Sequence, residues 1–106
     1  MDKKTEGLLS ELQSGLEAIY GDRLHGVYLY GSRARGEADG ESDVDVLILL
    51  DKVDAYGQEV DRTGALASEL SLRYGLSVSR VFVSERDWVG ADWPFLNSVR
   101  PEAVPA

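Results

Sequence analysis

Cysteine is absent from the 106 residues, which excludes disulfides, a thiolate nucleophile and cysteine-ligated zinc. With no thiol chemistry to accommodate, a reducing cytoplasm is the expected setting. No apolar run approaches the roughly 20 residues that a membrane span needs. The opening MDKKTEGLLSEL also lacks the long apolar core of a secretory leader. Cations are scarce: 11 Lys and Arg face 19 Asp and Glu, a formal charge of −8. A field of that sign repels nucleic-acid backbones, so direct binding of DNA or RNA is not expected. It does not bar a phosphate ligand that arrives with a metal ion. The single histidine, His25, sits inside an apolar stretch and reads as a structural residue rather than a catalytic base.

What is present fits one domain, residues 1–106, with 43% hydrophobic residues to fill one modest core. A domain of this size covers its apolar surface poorly, which favours a partner. Leu8, Leu12, Leu16 and Ile19 recur at helical spacing over residues 5–20, and Gly21 is the expected stop. LHGVYLY (24–30) and VDVLILL (44–50) read as strands covered on both sides. Tyr56, Val60, Ala67, Leu70 and Tyr74 predict a helix over 54–74, capped by Asp54 and ended by Gly75. LSVSRVFVS (76–84) is a third strand, and Ser84 with Asp87 forms a capping box. Two tryptophans and three prolines then predict a broken helix around 95–99 and a loose tail from about 100. The order α-β-β-α-β-α predicts an α/β fold, a small mixed central sheet of about three strands with helices packed on it. Trp88, Trp93 and Phe95 either fill the end of the core or form a partner surface.

Asp43 and Asp45 stand at the mouth of the 44–50 strand, two residues apart and therefore on one face. Two carboxylates about 5 Å apart repel by roughly 3 kcal/mol at an effective dielectric near 20. A dication turns that repulsion into attraction, and Mg²⁺ favours one or two carboxylates with water and phosphate oxygens. On the pair alone, a metal–nucleotide site and a merely solubilising strand end stand level. Gly31-Ser32 closes the preceding strand, where a glycine admits close backbone approach and serine adds a hydroxyl and an amide donor. Arg33 and Arg35 follow on a Gly-rich loop, placed either to meet phosphate oxygens or to pair with Glu37 and Glu41. The loop has no lysine, so it is not a Walker A loop.

Gly31-Ser32, ten residues, then Asp43-x-Asp45 is similar to the signature of the nucleotidyltransferase superfamily that includes DNA polymerase β and the kanamycin nucleotidyltransferases. The GSRARG wording, the short chain and Ser42 before Asp43 resemble its minimal nucleotidyltransferase branch. The resemblance implies Gly31 and Ser32 as phosphate holders, Asp43 and Asp45 as catalytic ligands of Mg²⁺, and Arg33 and Arg35 as further nucleotide contacts. It implies transfer of a nucleoside monophosphate, AMP from ATP, to a hydroxyl with pyrophosphate leaving. It also implies a HEPN-domain toxin as partner in a hetero-oligomer, modified on a tyrosine, with this chain as the antitoxin. The superfamily's third carboxylate, on the next strand, aligns with Ser79 in VSRV, and a serine hydroxyl is no base at neutral pH. The alternative is therefore a nucleotide-binding antitoxin that neutralises its partner by contact. Arg80, of opposite parity to Ser79, is expected on an edge with its stem buried.

Overall fold

The computed structural model describes residues 2–106. Helix α1 (Lys3–Tyr20) leads through a 3₁₀ turn (Gly21–Arg23) into β1 (Leu24–Tyr30), the one-turn helix α2 (Ser32–Arg35) and β2 (Val44–Leu50). Helix α3 (Tyr56–Tyr74), β3 (Val78–Ser84), α4 (Glu85–Gly90), α5 (Pro94–Val99) and β4 (Val104–Pro105) follow. The sheet order is β3-β2-β1-β4. β1 pairs antiparallel with β2 and β4, while β2 and β3 are parallel, as the long crossover α3 requires.

Side-chain parity divides the sheet into two apolar layers. Val44, Val46, Ile48 and Leu50 of β2, with Val27 and Leu29, pack under Leu8, Leu12 and Leu16 of α1 and Leu70 of α3. Leu47 and Leu49 face the other way, with Val83 of β3 and Leu96 and Val99 of α5. β2 is thus buried on both faces, which is why its sequence is almost wholly apolar.

Four local expectations change. The tail from about 100 forms the edge strand β4, with Tyr28 opposite Pro105 and Leu29 opposite Val104. A proline is tolerated there because an edge strand can turn its missing N–H to solvent. Arg100 anchors the approach by donating to the carbonyls of Asp87 (3.0 Å), Trp88 (2.7 Å) and Ala91 (2.6 Å) at the end of α4. Second, α3 starts at Tyr56 after Ala55, and Asp54 makes no cap. Third, its buried face is Glu59, Thr63, Ala67 and Leu70. Glu59 is buried because it accepts from the Tyr20 hydroxyl (2.9 Å) and pairs with Arg23 (3.5 Å) and Arg62 (3.4 Å). Burial, then the Glu59 carboxylate, push the Tyr20 phenol well above its ordinary value. Fourth, the aromatic side chains divide: Trp88 stacks on Tyr28 in the second layer, while Trp93 and Phe95 remain exposed.

Gly21 and Gly75 end their helices with positive φ, and Asp87 N–H donates to Ser84 Oγ (3.2 Å) as the capping pattern predicts. Arg80 lies on the edge strand β3, its guanidinium donating to the Val60 carbonyl (3.1 Å) and the Thr63 hydroxyl of α3. No helix among the described residues is long and apolar enough to cross a membrane.

Candidate active site

Antiparallel pairing of β1 and β2 sets Tyr30 opposite Asp45, and the parallel pairing of β2 and β3 sets Asp45 beside Ser79. Asp43 precedes β2 with the parity of Asp45, so both aspartates belong to the second layer's face, at the end where the strand emerges. Asp43 is exposed and Asp45 half-buried.

Gly31 joins the strand to the one-turn helix with φ 77° and ψ −158°, a backbone region that is essentially glycine's alone. A Cβ built there would lie 2.3 Å from Asp45 Oδ2, so the glycine is what lets the Gly-Ser turn and the carboxylate touch. Backbone bonds from Arg35 N to Gly31 O (3.1 Å) and from Glu37 N to Ser32 O (2.9 Å) close the turn. Ser32 is half-buried directly beside this contact.

The two arginines separate. Arg33 does not reach the aspartates. Its side chain is 5% exposed and donates to the Ser42 carbonyl (2.7 and 3.0 Å), the Asp39 carbonyl (3.4 Å) and Thr5 Oγ1 (3.0 Å). It pins the 36–42 loop to α1 and so fixes the approach to Asp43. Arg33→Ala should therefore lower folding stability by about 2 to 3 kcal/mol, the scale for a buried charged hydrogen-bond hub. A denaturant titration with a parental midpoint would count against that role. Arg35 stays at the turn, half-exposed, paired with Glu37 and Glu102 at 2.8 Å each.

Burial raises the Asp45 carboxyl above the ordinary carboxylate range, and the charge of Asp43 raises it further against the pull of Arg35. Burial, then the Asp45 charge, push the neighbouring Tyr30 phenol up to about 12. Proton affinity held high by a like charge is what a cation relieves. The donors suit Mg²⁺: two hard carboxylates on one face, with the remaining positions left for water and phosphate oxygens. Among the described residues no group of three or more His, Cys, Asp or Glu side chains is placed to hold a metal.

Ser79 is exposed on the edge strand in register with Asp45, so the third-strand alignment and the geometry agree on its position. His25 lies at the opposite end of β1, near the row where Leu24 faces Leu50, in contact with Glu85. It is not part of this site. Two residues at the site carried no sequence signal of their own. Tyr30 was one step of strand parity from recognition, whereas Glu102 comes from the C-terminal segment, 71 positions from Gly31, and no short motif connects them.

Residues 17–89 match the family described as Polymerase beta, Nucleotidyltransferase. Three proteins of Methanocaldococcus jannaschii, each provisionally named protein adenylyltransferase, are similar to the chain. One is 38% identical over 74 residues, 70% of this chain and 74% of its own length. A second is 33% identical across 81% of this chain, which spans 59% of that protein. The third is 31% identical over 92% of both. A provisionally assigned nucleotidyltransferase of Sulfolobus solfataricus, of known crystal structure, shares the fold with a TM-score of 0.58 at 19% identity. The match covers 97% of this chain and 82% of that one.

Proposed function

The chain belongs to the polymerase beta nucleotidyltransferase family, and from that premise we propose that it transfers AMP from Mg-ATP to a hydroxyl, a tyrosine of a HEPN-domain partner protein, and so acts as an antitoxin. The observation that carries this reading is that a Cβ on Gly31 would lie 2.3 Å from Asp45 Oδ2, so the Gly-Ser turn and the aspartate strand meet at one point. The relatives' names support a protein as the acceptor.

Asp43 and Asp45 would hold Mg²⁺, which neutralises phosphate charge and aligns the nucleotide for in-line attack. The chain's own residues do the rest. The turn from Gly31 to Arg35 presents backbone donors and a guanidinium to phosphate oxygens. The acceptor oxygen bonds to the α-phosphorus as the bond to the leaving pyrophosphate breaks. The hydroxyl proton leaves to solvent on the open side where Ser79 stands.

Ser79 supports a second reading, an antitoxin that binds nucleotide and partner but neutralises by contact alone. Label transfer from ATP to a co-expressed HEPN neighbour, followed by mass spectrometry, separates the two. An added nucleotide on the neighbour, lost with Asp43→Asn/Asp45→Asn, is the expected result. Ser79→Asp should speed transfer by about 10²-fold, the lower scale for adding a general base. No transfer by either protein, with the partner still neutralised, would favour contact alone. A parental rate unchanged by Ser79→Asp would show that no acid is missing at that position.

A further inference from the structure

Glu102 lies outside the span 17–89 that the family matches, yet its carboxylate sits at the Gly-Ser turn. One oxygen accepts from the Gly31 N–H at 3.4 Å and the other from Arg35 Nη1 at 2.8 Å. Those are two of the donors that the nucleotide-binding reading gives to phosphate. A carboxylate that bridges a backbone N–H and a guanidinium presents the same charge and paired oxygens as a phosphate edge.

We propose that Glu102 is an internal competitor for the nucleotide's phosphate, holding the Gly31 N–H and the Arg35 guanidinium until the ligand displaces it, and so setting nucleotide affinity. The inference rests on the nucleotide-binding reading of the turn. Three features make the hold close but displaceable. The backbone is anchored on both sides: Arg100 is fixed to α4, Ala103 N–H bonds the Val99 carbonyl at 2.9 Å, and Val104 pairs with Leu29. Glu102 is therefore presented to the turn at high local concentration. Its side chain remains partly exposed, so it can swing out without unpairing β4. Arg35 keeps Glu37 at 2.8 Å when Glu102 leaves, so release leaves no guanidinium unpaired.

An apparent dissociation constant rises in inverse proportion to the fraction of protein with its site open. If the contact is closed nine-tenths of the time, removing it tightens binding about tenfold. The test is calorimetric titration of the full chain with Mg-ATP, and separately with Mg-tripolyphosphate, in the parent, Glu102→Gln and Glu102→Ala. Ligand-free melting curves check that each variant is folded, and Glu102→Asp, which withdraws the carboxylate by one methylene, serves if the others are not. Both ligands should bind the variants about tenfold more tightly, since both bring the competing phosphate. Parental affinity in folded variants overturns the inference and leaves the nucleotide site standing. Weaker binding overturns it differently, making Glu102 part of the receptor. Tightening for ATP alone would place the competition at the nucleoside and overturn it too. Parent and variants that all fail to bind either ligand would sink the nucleotide reading, and the inference with it.

Discussion

With Mg-ATP at about 100 times its dissociation constant, the protein is expected to melt roughly 10 to 20 °C higher than without ligand. The figure follows from mass action, about 2.7 kcal/mol at that saturation, and from the small transition entropy of a short chain. The shift should need both magnesium and nucleotide and should vanish in Asp43→Asn/Asp45→Asn. Asp45 lies in register between Tyr30 and Ser79, and Asp43 shares its face close enough for its charge to raise the Asp45 carboxyl, so the substitution removes both carboxylates that the proposed function gives to the metal.

Without metal the same substitution should act in the opposite direction. The folded chain holds the Asp45 proton more tightly than the unfolded chain, because burial and Asp43 raise its carboxyl. Native stability from this group is therefore fully present at low pH and declines as pH rises from the ordinary carboxylate value through the raised one. Asp45→Asn removes the decline, so near neutrality the ligand-free variant should melt above the parent. A site that costs stability until its ligand arrives is the usual signature of function over folding. Equal melting curves with and without saturating Mg-ATP, for the parent alone and with the proposed HEPN protein, would remove nucleotide binding at the aspartates from consideration.

Most of the local structure was legible because its signals are short-range. Leu24 to Tyr30 and Val44 to Leu50 are apolar enough to be strands in any context, and the Gly-Ser turn and the two aspartates lie at their ends. What stayed hidden depends on contacts between distant parts of the chain. Arg33 looks like a phosphate ligand from its place in a Gly-rich loop. Only the fold brings Thr5 and the Ser42 carbonyl around its guanidinium. Glu59 breaks the apolar stripe of α3, so the helical face looked rotated, until Tyr20 and Arg23 supplied its partners. β4 is two residues long, one of them proline, and carries no strand pattern at all. Gly31 was legible as a special residue but not for the right neighbour: the first thing a side chain there would strike is Asp45, before any ligand.

That contact makes Gly31→Val the single substitution expected to do most harm. Two effects combine at one atom. The backbone at φ 77° and ψ −158° is strained for any residue with a Cβ and worst for a branched one. The new Cβ would also fall 2.3 Å from Asp45 Oδ2, well inside van der Waals contact. Together these should cost about 3 kcal/mol of stability or more, at least a 10 °C drop in melting temperature for a domain of this size. Mg-ATP binding should be lost as well, because relieving the clash must move either the turn or the metal ligand. The double variant Gly31→Ala/Asp45→Ala separates the two effects. Removing the carboxylate removes the clash and leaves the strain, so the pair should be more stable than the single-substitution effects predict by addition. Nucleotide binding should not return, since the metal ligand is gone. Strict additivity in that cycle would mean that turn and carboxylate are not in contact in solution. A Gly31→Val protein that binds Mg-ATP with parental affinity would reduce the turn to a structural corner and leave Asp43 and Asp45 without a phosphate cradle.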